Sequence, residues 1–450
     1  MQRAVSIWLT GWFAVFSGLR VWGAGPETVA SALADPDLSS GAAKIILLDT
    51  SNGQMTPLDA RIAKTQARIK SGPNRGAQVE RLGWLFVEKA RVSNDPGFYK
   101  LAEQCAVCLE SANSNSPDAT LLKGHVLHSL HRFKEAEPLA RELTQERGMA
   151  FDFGLLGDVE YDQGKIPEAV AAYQEMVNRR PDLQAYSRIA QVRWITGDLP
   201  GAMEAMTLAV EAGSPLNAEP TAWTYSRLAL LQLQAGDVSA ARRSAQAALQ
   251  LETNSAPALM ALGRIQLAAG ERDDAIGSLQ KAAALNHLPE TQWLLADALR
   301  EAGKTAQADE VEATLQKRGV SEDPRSFALY LATRGLRLSA ALNLAERELD
   351  TRADIFTHDA LAWALKANGR LAEARDEISK ALAEGTQDAR LFFHAAVIND
   401  AAGDKEESVR DARLAWKTKQ MLYPSELEQL GKLAPVEELS QQNTSGLKPN

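Results

Sequence analysis

The chain contains Gly157-Asp-Val-Glu-Tyr-Asp-Gln-Gly-Lys-Ile-Pro-Glu-Ala169, and the same pattern returns further on as Ala190-Gln-Val-Arg-Trp-Ile-Thr-Gly-Asp-Leu-Pro-Gly-Ala202. Both segments hold a small residue, then a Gly, then an Ala at matching positions. Gly ends a helix readily because it adopts left-handed backbone angles without a Cβ clash, and a small residue lets two helices approach closely. Each segment therefore predicts a helix, a Gly turn and a second helix packed against the first.

The pattern recurs over most of the chain at a nearly constant interval, with one longer interval between Ala202 and Ala241. The Ala position is occupied by Ala136, Ala169, Ala202, Ala241, Ala275, Ala308, Ala341 and Ala374, and the turn position by Gly164, Gly197, Gly236, Gly270, Gly303, Gly369 and Gly403. His131 takes the turn position in one unit. A fixed period of roughly 20–50 residues indicates stacked helix pairs, each burying its apolar face against its neighbours. We therefore predict an all-α fold.

These positions resemble the tetratricopeptide repeat, whose consensus has small residues at the eighth and twentieth of about 34 positions. The resemblance covers residues 78–416, as about ten repeats of which nine are in strict register. It implies a right-handed superhelical α-solenoid of tandem helix-turn-helix units that binds proteins or peptides. Segments such as His131-Arg-Phe-Lys-Glu-Ala136 are further similar to exported bacterial proteins with tandem repeats of this kind.

Composition argues against several function classes. The 450-residue chain carries a net charge of −9, the wrong sign for a protein that neutralises phosphates along its surface, so nucleic acid is not an expected partner. The sequence holds no dinucleotide fingerprint, no Gly-x-Ser-x-Gly elbow and no His-Glu-x-x-His motif. We therefore expect a chain without a cofactor and without catalytic activity.

The N-terminus predicts export. Arg3 precedes an uncharged run from Ala4 to Leu19, and residues 1–23 together have the features of a secretory signal peptide. The run would span roughly 24 Å as a helix, which is short of the ~30 Å hydrocarbon core of a bilayer. The expected product is soluble in the periplasm or outside the cell, and an uncleaved N-terminal anchor is the alternative. Membrane contact is expected only through this end of the chain.

Two flanking segments lie outside the repeats. Residues 24–77 form a lead-in with a basic helix predicted over residues 57–70, which carries Arg61, Lys64, Arg68 and Lys70. This helix either caps the array or touches an anionic envelope surface, which would make the chain an envelope-associated structural element. The run from Lys44 to Leu48 is compatible with a strand or a helix. Residues 417–450 are predicted to form a closing helix from Ser425 to Leu433 and a disordered tail beyond Ser440.

A metal site is the rival hypothesis. His125, His128 and His131 are spaced three apart on one predicted helix, and Cys105 and Cys108 lie on the helix before it. Because His and Cys are the ligand types that zinc prefers, a metal-binding protein or enzyme centred on His125, His128, Cys105 and Cys108 is an alternative function. Cys105 and Cys108 nevertheless fall on one apolar helix stripe, where small buried cysteines occur. We therefore expect no bound metal.

The resemblance also implies a binding surface. In this family the ninth and twelfth positions of each first helix, and often the fifth, line a concave groove. Carried over to this chain, they define what we call the groove set: His125, His128, Asp158, Tyr161, Gln191, Trp194, Arg264, Trp293, Asp297, Arg300, Trp363, Lys366 and Phe393. Aromatic and Arg side chains are enriched at binding surfaces, so this set predicts recognition of a protein or peptide. The alternative is that some of these Trp residues pack between repeats.

Overall fold

The computed structural model describes residues 33–49, 55–93, 95–435 and residue 439. Within these ranges all regular structure is helical, as 23 α-helices and two short 3-10 helices. The predicted all-α solenoid is therefore confirmed. The signal-peptide segment, residues 1–23, and the tail beyond Ser440 lie outside the described residues. Among the described helices, none combines the length and the apolar character needed to cross a bilayer.

Twenty of the helices form ten antiparallel pairs, which we number as pairs 1 to 10. Pairs 1 to 5 consist of α3 (Arg75–Ser93) and α4 (Gly97–Ala112), α5 (Pro117–Ser129) and α6 (Phe133–Glu146), α7 (Ala150–Asp162) and α8 (Ile166–Arg179), α9 (Leu183–Ile195) and α10 (Leu199–Glu211), and α11 (Ala218–Gln234) and α12 (Val238–Leu251). Pairs 6 to 10 consist of α13 (Ala256–Ala268) and α14 (Arg272–Leu285), α15 (Pro289–Glu301) and α16 (Thr305–Glu322), α17 (Pro324–Arg334) and α18 (Leu338–Thr351), α19 (Ile355–Ala367) and α20 (Leu371–Leu382), and α21 (Ala389–Ala401) and α22 (Lys405–Lys417).

The remaining helices cover the two ends of the array. They are α1 (Gly41–Ile46), α2 (Pro57–Ser71) and α23 (Pro424–Leu433). The apolar run after Lys44 is thus helical. The basic helix forms as α2, with a capping box between Thr56 and Asp59, and its four basic side chains are exposed. The closing helix begins at Pro424 and is preceded by the 3-10 helix Lys419–Met421.

The turns within the pairs have the predicted backbone geometry. Every turn Gly of the repeat pattern has a positive φ, between 73° at Gly303 and 87° at Gly403. His131, which takes the same position in pair 2, also has a positive φ of 57°. Small residues fill the helix contacts: a Cβ added at Gly263 would lie 2.6 Å from Leu279 Cγ, and Ala136 is fully buried.

The longer spacings of the repeat pattern fall at loops. In pair 1 the enlarged turn separates α3, which ends at Ser93, from α4, which begins at Gly97. The long interval between Ala202 and Ala241 holds the 3-10 helix Pro215–Asn217, and α11 is longer than most first helices of the pairs. These insertions leave the stacking of the ten pairs unbroken.

The coil also contacts itself between distant pairs. The loop that precedes α19 reaches the end of α7, where the Ala353 N–H donates to the Asp162 carbonyl over 3.1 Å. The loop that precedes α21 reaches the end of α9, where the buried Thr386 hydroxyl donates to the Ile195 carbonyl. These loops join pairs 3 and 4 to pairs 9 and 10, and we call the contact region the seam.

The seam continues to the end of α11. The Gln234 side-chain amide donates to the Gln387 carbonyl over 2.7 Å, and the Gln420 amide donates to the carbonyls of Leu233 and Gln234 over 3.0 and 2.8 Å. Ile195 also belongs to the large buried cluster formed mainly by residues from Ile276 onward. The expectation that each pair packs only on its neighbours is therefore incomplete, because the superhelical path brings remote pairs together.

Candidate functional site

The interior of the coil contains a cavity of about 290 Å³. It lies beside the seam and is lined by residues from the first helices of pairs 4 to 10. Its apolar wall includes Trp194 and Phe356, whose rings stack with centroids 5.8 Å apart, together with Leu329 and Leu391. The cavity thus brings together side chains from pairs that are remote from each other in the sequence.

The polar wall of this cavity is dominated by arginine. Four guanidinium groups line it, from Arg227, Arg264, Arg325 and Arg390. Three carboxylates also line it, from Glu290, Asp359 and Asp388. In a chain with a net charge of −9, such a concentration of buried and half-buried cations marks the cavity as a candidate binding site.

Two of the arginines are neutralised by carboxylates behind the cavity wall. Arg325 Nη1 lies 2.9 Å from Asp354 Oδ2, and Arg390 Nε lies 2.8 Å from Glu426 Oε1. Burial lowers the pKa of both guanidinium groups, but the neighbouring carboxylates outweigh it and hold the pKa above its usual value. These two cations are therefore compensated by the protein itself.

Arg264 is held by two groups. Its Nη2 donates to the Met421 carbonyl over 3.0 Å, and its Nη1 lies 3.7 Å from Glu290 Oε1. Its guanidinium also lies 5.4 Å from the centre of the Tyr423 ring. Arg264 is thus fixed in position and weakly paired.

Arg227 differs from the other three. Within the described part of the chain its only hydrogen bond is to Gln191 Oε1, at 3.3 Å, and no carboxylate pairs with it. The Gln191 amide in turn donates to the Tyr161 hydroxyl over 2.7 Å. Burial lowers the pKa of Arg227, and the Glu290 carboxylate, which does not contact it directly, offsets only part of this effect.

Two of the cavity carboxylates are hydrogen-bonded to groups other than the cavity arginine side chains. Asp388 caps α21 and accepts hydrogen bonds from the backbone N–H groups of Arg390 and Leu391 at 2.8 and 3.1 Å, while burial raises its pKa. Asp359 Oδ1 lies 2.7 Å from Nδ1 of the buried His394, which stacks on Trp363 with ring centroids 4.0 Å apart. Neither carboxylate pairs with Arg227.

Three members of the groove set line the cavity: Gln191, Trp194 and Arg264. Tyr161 lies directly behind them through its hydrogen bond with Gln191. Trp194 also donates its indole N–H to Gln234 Oε1 over 2.8 Å, which links the cavity wall to the seam. The structure thus brings together the part of the groove set that belongs to pairs 3 to 6.

The groove-set residues of pairs 2 and 3 contact side chains of the adjacent helix pairs. His128 Nε2 lies 2.9 Å from Asp162 Oδ2, and Asp158 accepts two hydrogen bonds from Arg188 at 2.6 and 2.7 Å. His125 lies 5.3 Å from the Trp84 ring, and burial lowers its pKa to about 3. These side chains are half-buried.

The three aromatic groove-set residues of the later pairs belong to the core. Trp293, Trp363 and Phe393 are 1%, 3% and 1% exposed. Trp293 packs edge-on against Tyr423, with ring centroids 5.0 Å apart, because the segment after α22 folds back over pair 7. These three rings therefore lie between the repeats and not on an open concave face. Packing between repeats is the alternative given above for the Trp residues of the groove set.

The polar groove-set residues of the later pairs make internal contacts. Asp297 is buried and accepts from Arg334 Nη2 over 2.5 Å and from the Ser425 hydroxyl. Arg300 Nη2 lies 2.8 Å from Asp309 Oδ1, on the side of pair 7 that faces α16. Lys366 lies 4.6 Å from the centre of the Trp363 ring, and burial lowers its pKa.

The His and Cys residues of the rival hypothesis lie in different environments. Cys105 and Cys108 are free thiols in the core of pair 1, where burial raises the pKa of Cys108 to about 11. His128 is engaged by Asp162, and His131 Nε2 lies 2.8 Å from Arg352 Nη2. Among the described residues no group of three or more His, Cys, Asp or Glu side chains is arranged to hold a metal ion.

Three cavity arginines were missed by the sequence analysis: Arg227, Arg325 and Arg390. Arg325 and Arg390 lie in the first turn of α17 and α21, and Arg227 lies near the middle of α11. They face the cavity because the coil closes through the seam, which brings the first turns of α17 and α21 close to α9 and α11. The available sequence signal was an arginine that precedes the ninth repeat position in each of these three first helices.

The structure thus defines a helical-repeat solenoid with an arginine-lined interior cavity. Residues 155–217, 226–286 and 260–324 match the family profile described as tetratricopeptide repeat. The chain therefore carries tandem tetratricopeptide repeats over these residues. Its ten helix pairs extend the repeat on both sides of the matched residues.

Several solved structures are similar to the chain at low identity. A human IFIT1 dimer with PPP-AAAA is 15% identical, with a TM-score of 0.45 over 73% of this chain and 79% of that one. PilF of Pseudomonas aeruginosa is 15% identical, with a TM-score of 0.39 over 45% and 90%. The APC/C hetero-tetramer Cut9–Hcn1 is 13% identical, with a TM-score of 0.32 over 84% and 96%. The comparison with curated proteins returned no match.

Proposed function

We propose that the chain is an exported, non-catalytic scaffold that binds a protein or peptide partner through the interior of its coil. The observation that supports this most directly is the meeting of Gln191, Trp194 and Arg264 in one arginine-rich cavity. Aromatic rings supply rigid contact area, and guanidinium groups bind carboxylates with two parallel hydrogen bonds. The work of the chain is then recognition, without a covalent step.

The partner chemistry follows from the charge of this interior. A segment with acidic side chains beside apolar ones complements a wall that combines arginine with stacked aromatic rings. Entry of such a segment requires space between pairs 4 and 5 and pairs 8 to 10. The loops of the seam therefore form the entrance, and their separation controls access.

Partner capture tests the scaffold function. The chain is crosslinked in an extracytoplasmic extract, and captured proteins are identified by mass spectrometry. We expect the double variant Trp194→Ala with Arg264→Ala to lose the partner. The matched control, Trp223→Ala with Arg243→Ala, changes the same residue types at exposed positions and retains it.

A second variant separates binding from folding. Gln191 lines the cavity but makes no seam contact within the described residues, so Gln191→Ala leaves the helix content and the seam intact. It should still weaken capture. Equal capture by the wild type, Gln191→Ala and the double variant would refute the assignment of the binding surface.

Export is tested separately. Residues 1–23 support it through the pattern of a signal peptide. N-terminal sequencing of the protein recovered from the periplasm or the medium should show a start near residue 24. A full-length protein that sediments with membranes would instead favour the uncleaved anchor, and a cytoplasmic protein would refute export.

Envelope association is a second candidate, because the exposed basic side chains of α2 favour it. Only Arg61 of the four is paired with a carboxylate, Glu88 at 2.8 Å, within the described residues. We expect sedimentation with anionic vesicles to decrease as salt is added. Replacing Lys64, Arg68 and Lys70 by Gln should abolish it, and unchanged sedimentation would exclude this contact.

A further inference from the structure

We propose that the interior cavity also binds a small organic monocarboxylate, a molecule with an apolar body and a single carboxylate group. This inference goes beyond the scaffold function, since it concerns a low-molecular-weight ligand that the chain binds in the absence of a partner. It is supported by the pairing of the cavity arginines, by the chemistry of the cavity walls and by the size of the cavity.

Ion pairing leaves one cavity arginine without a carboxylate partner in direct contact within the described residues. Arg325 and Arg390 are paired with Asp354 and Glu426 behind the wall, and Arg264 is shared between Glu290 and a backbone carbonyl. Arg227 alone is bonded only to a neutral amide within the described residues. One ligand carboxylate would supply the ion pair that Arg227 lacks, because a guanidinium group binds a carboxylate with two parallel hydrogen bonds.

The three carboxylates of the cavity have donors of their own, which reduces their repulsion of such a ligand. Asp388 is directed to the backbone N–H groups at the beginning of α21, and Asp359 is directed to His394. Glu290 accepts from the Tyr423 hydroxyl at 3.3 Å, on the side of Arg264. Each of the three acidic groups is therefore turned to a donor of its own.

The apolar wall defines the rest of the ligand. Trp194 and Phe356 stack on each other, with planes 19° apart, and Leu329 and Leu391 line the same space. An aromatic or branched apolar group packed here loses water without leaving a polar group unpaired. A guanidinium group beside an aromatic wall favours a ligand that has both a carboxylate and an apolar body.

The size of the cavity sets an upper limit. At about 290 Å³ it is at the lower end of the range of roughly 300–1,000 Å³ found for ligand pockets. It accommodates one compact molecule, such as an arylacetic acid. A folded peptide segment does not fit without opening of the seam.

Binding also has a structural consequence. The ligand contacts α9 and α11 on one side of the cavity and α17, α19 and α21 on the other. It therefore links the two parts of the coil that the seam joins. A ligand that binds only the closed coil stabilises it by RT ln(1 + [L]/Kd), where [L] is the free ligand concentration.

Calorimetry with phenylacetate as the probe tests the proposal. The purified full-length chain is titrated at pH 7 with phenylacetate, with the neutral phenylacetamide, and with inorganic phosphate. We expect one phenylacetate per chain with a Kd below about 1 mM, and binding of phenylacetamide at least tenfold weaker. Saturating phenylacetate should also raise the thermal midpoint.

Variants at Arg227 test whether its guanidinium group binds the carboxylate of the ligand. Arg227→Gln should weaken phenylacetate binding at least tenfold, and Arg227→Lys, which keeps the charge, should retain most of it. Arg243→Gln, an exposed site on α12, is the matched control and should bind as the wild type does. If Arg227→Gln unfolds, the comparison of phenylacetate with phenylacetamide on the wild type still decides the question.

Three results would overturn the proposal: no saturable phenylacetate binding, equal affinity for the charged and the neutral probe, or unchanged affinity in a folded Arg227→Gln variant. Saturable binding of phosphate in place of phenylacetate would also overturn it, in favour of an inorganic anion site. The titration contains no protein partner. Its failure is therefore distinguishable from failure of the scaffold function, which partner capture measures.

Discussion

Substitution of a seam glycine should destabilise the chain more than substitution of an equivalent glycine outside the seam. Gly197 and Gly270 occupy the same turn position in pairs 4 and 6, with φ angles of 83° and 78°. A Cβ at Gly197 would lie 2.5 Å from the Gly385 carbonyl oxygen across the seam. A Cβ at Gly270 would meet no atom within 4 Å. The two positions therefore differ in one respect only, contact with the seam.

The magnitude follows from this difference. Both Ala variants incur the cost of a left-handed backbone, about 1–2 kcal/mol. In Gly197→Ala the Gly385 carbonyl must also move by about 1 Å to reach ordinary van der Waals distance. The adjoining hydrogen bonds from Thr386 and Gln234 are then lost, at about 1 kcal/mol each. We expect a total loss near ~3–4 kcal/mol for Gly197→Ala and near ~1–2 kcal/mol for Gly270→Ala.

Urea denaturation followed by circular dichroism measures the loss of unfolding free energy in each variant. Small-angle X-ray scattering of the folded variants provides the second readout, since opening of the seam enlarges the radius of gyration in Gly197→Ala alone. Equal losses in the two variants, with equal radii, would show that the seam does not contribute to stability and would refute the reasoning.

Three further predictions concern Trp293, the two cysteines and His125. Trp293→Ala should lower the unfolding free energy by about 3–5 kcal/mol in urea denaturation, because its ring is fully packed; a loss below about 1 kcal/mol would contradict that packing. Cys105 and Cys108 should react slowly with a disulfide reagent in the native state, and both should react at once in denaturant. Because His125 has a folded pKa of about 3 against 6.5 when unfolded, unfolding takes up a proton below pH 6.5. The free energy of unfolding should therefore decrease as the pH is lowered from 6.5 to 4, by at most about 1.4 kcal/mol per pH unit. The decrease should be less steep in His125→Gln.

The helix pairs were predictable because their contacts are local in sequence. A turn such as Gly164 and a contact residue such as Ala169 act within one pair, and the next pair repeats them at Gly197 and Ala202. Even His131 at a turn position was identified by register, and its positive φ agrees with that position. The lead-in helix from Pro57 follows in the same way from a local capping box.

The seam and the cavity were not predictable from local pattern. They depend on small rotations between successive pairs that accumulate until the loop before α21 meets the end of α9. No periodicity records that meeting, since Thr386 and Ile195 are 191 residues apart. The choice of groove-set residues in pairs 7 to 10 therefore assumed an open coil. Trp293 and Phe393 lie in the core because the chain closes over them.

The cavity arginines show the same limit. In the sequence, Arg227 and Arg390 are two ordinary charges on separate helices. Their shared position becomes apparent only when the coil is closed, and Arg227 is distinguished by the absence of a carboxylate partner in the described structure. Pairing of this kind is a property of three-dimensional proximity, which composition does not encode.

The seam gives the chain a fixed repeat number. In an open array, loss or duplication of one repeat unit shortens or lengthens the molecule and leaves every remaining interface as it was. Here the bond between Asp162 and Ala353 closes a ring of helix pairs of set circumference. Removing one unit between α8 and α18 would displace every bridging loop by a full unit. Loss or gain of one of these similar repeats would therefore disrupt the contacts that close the coil.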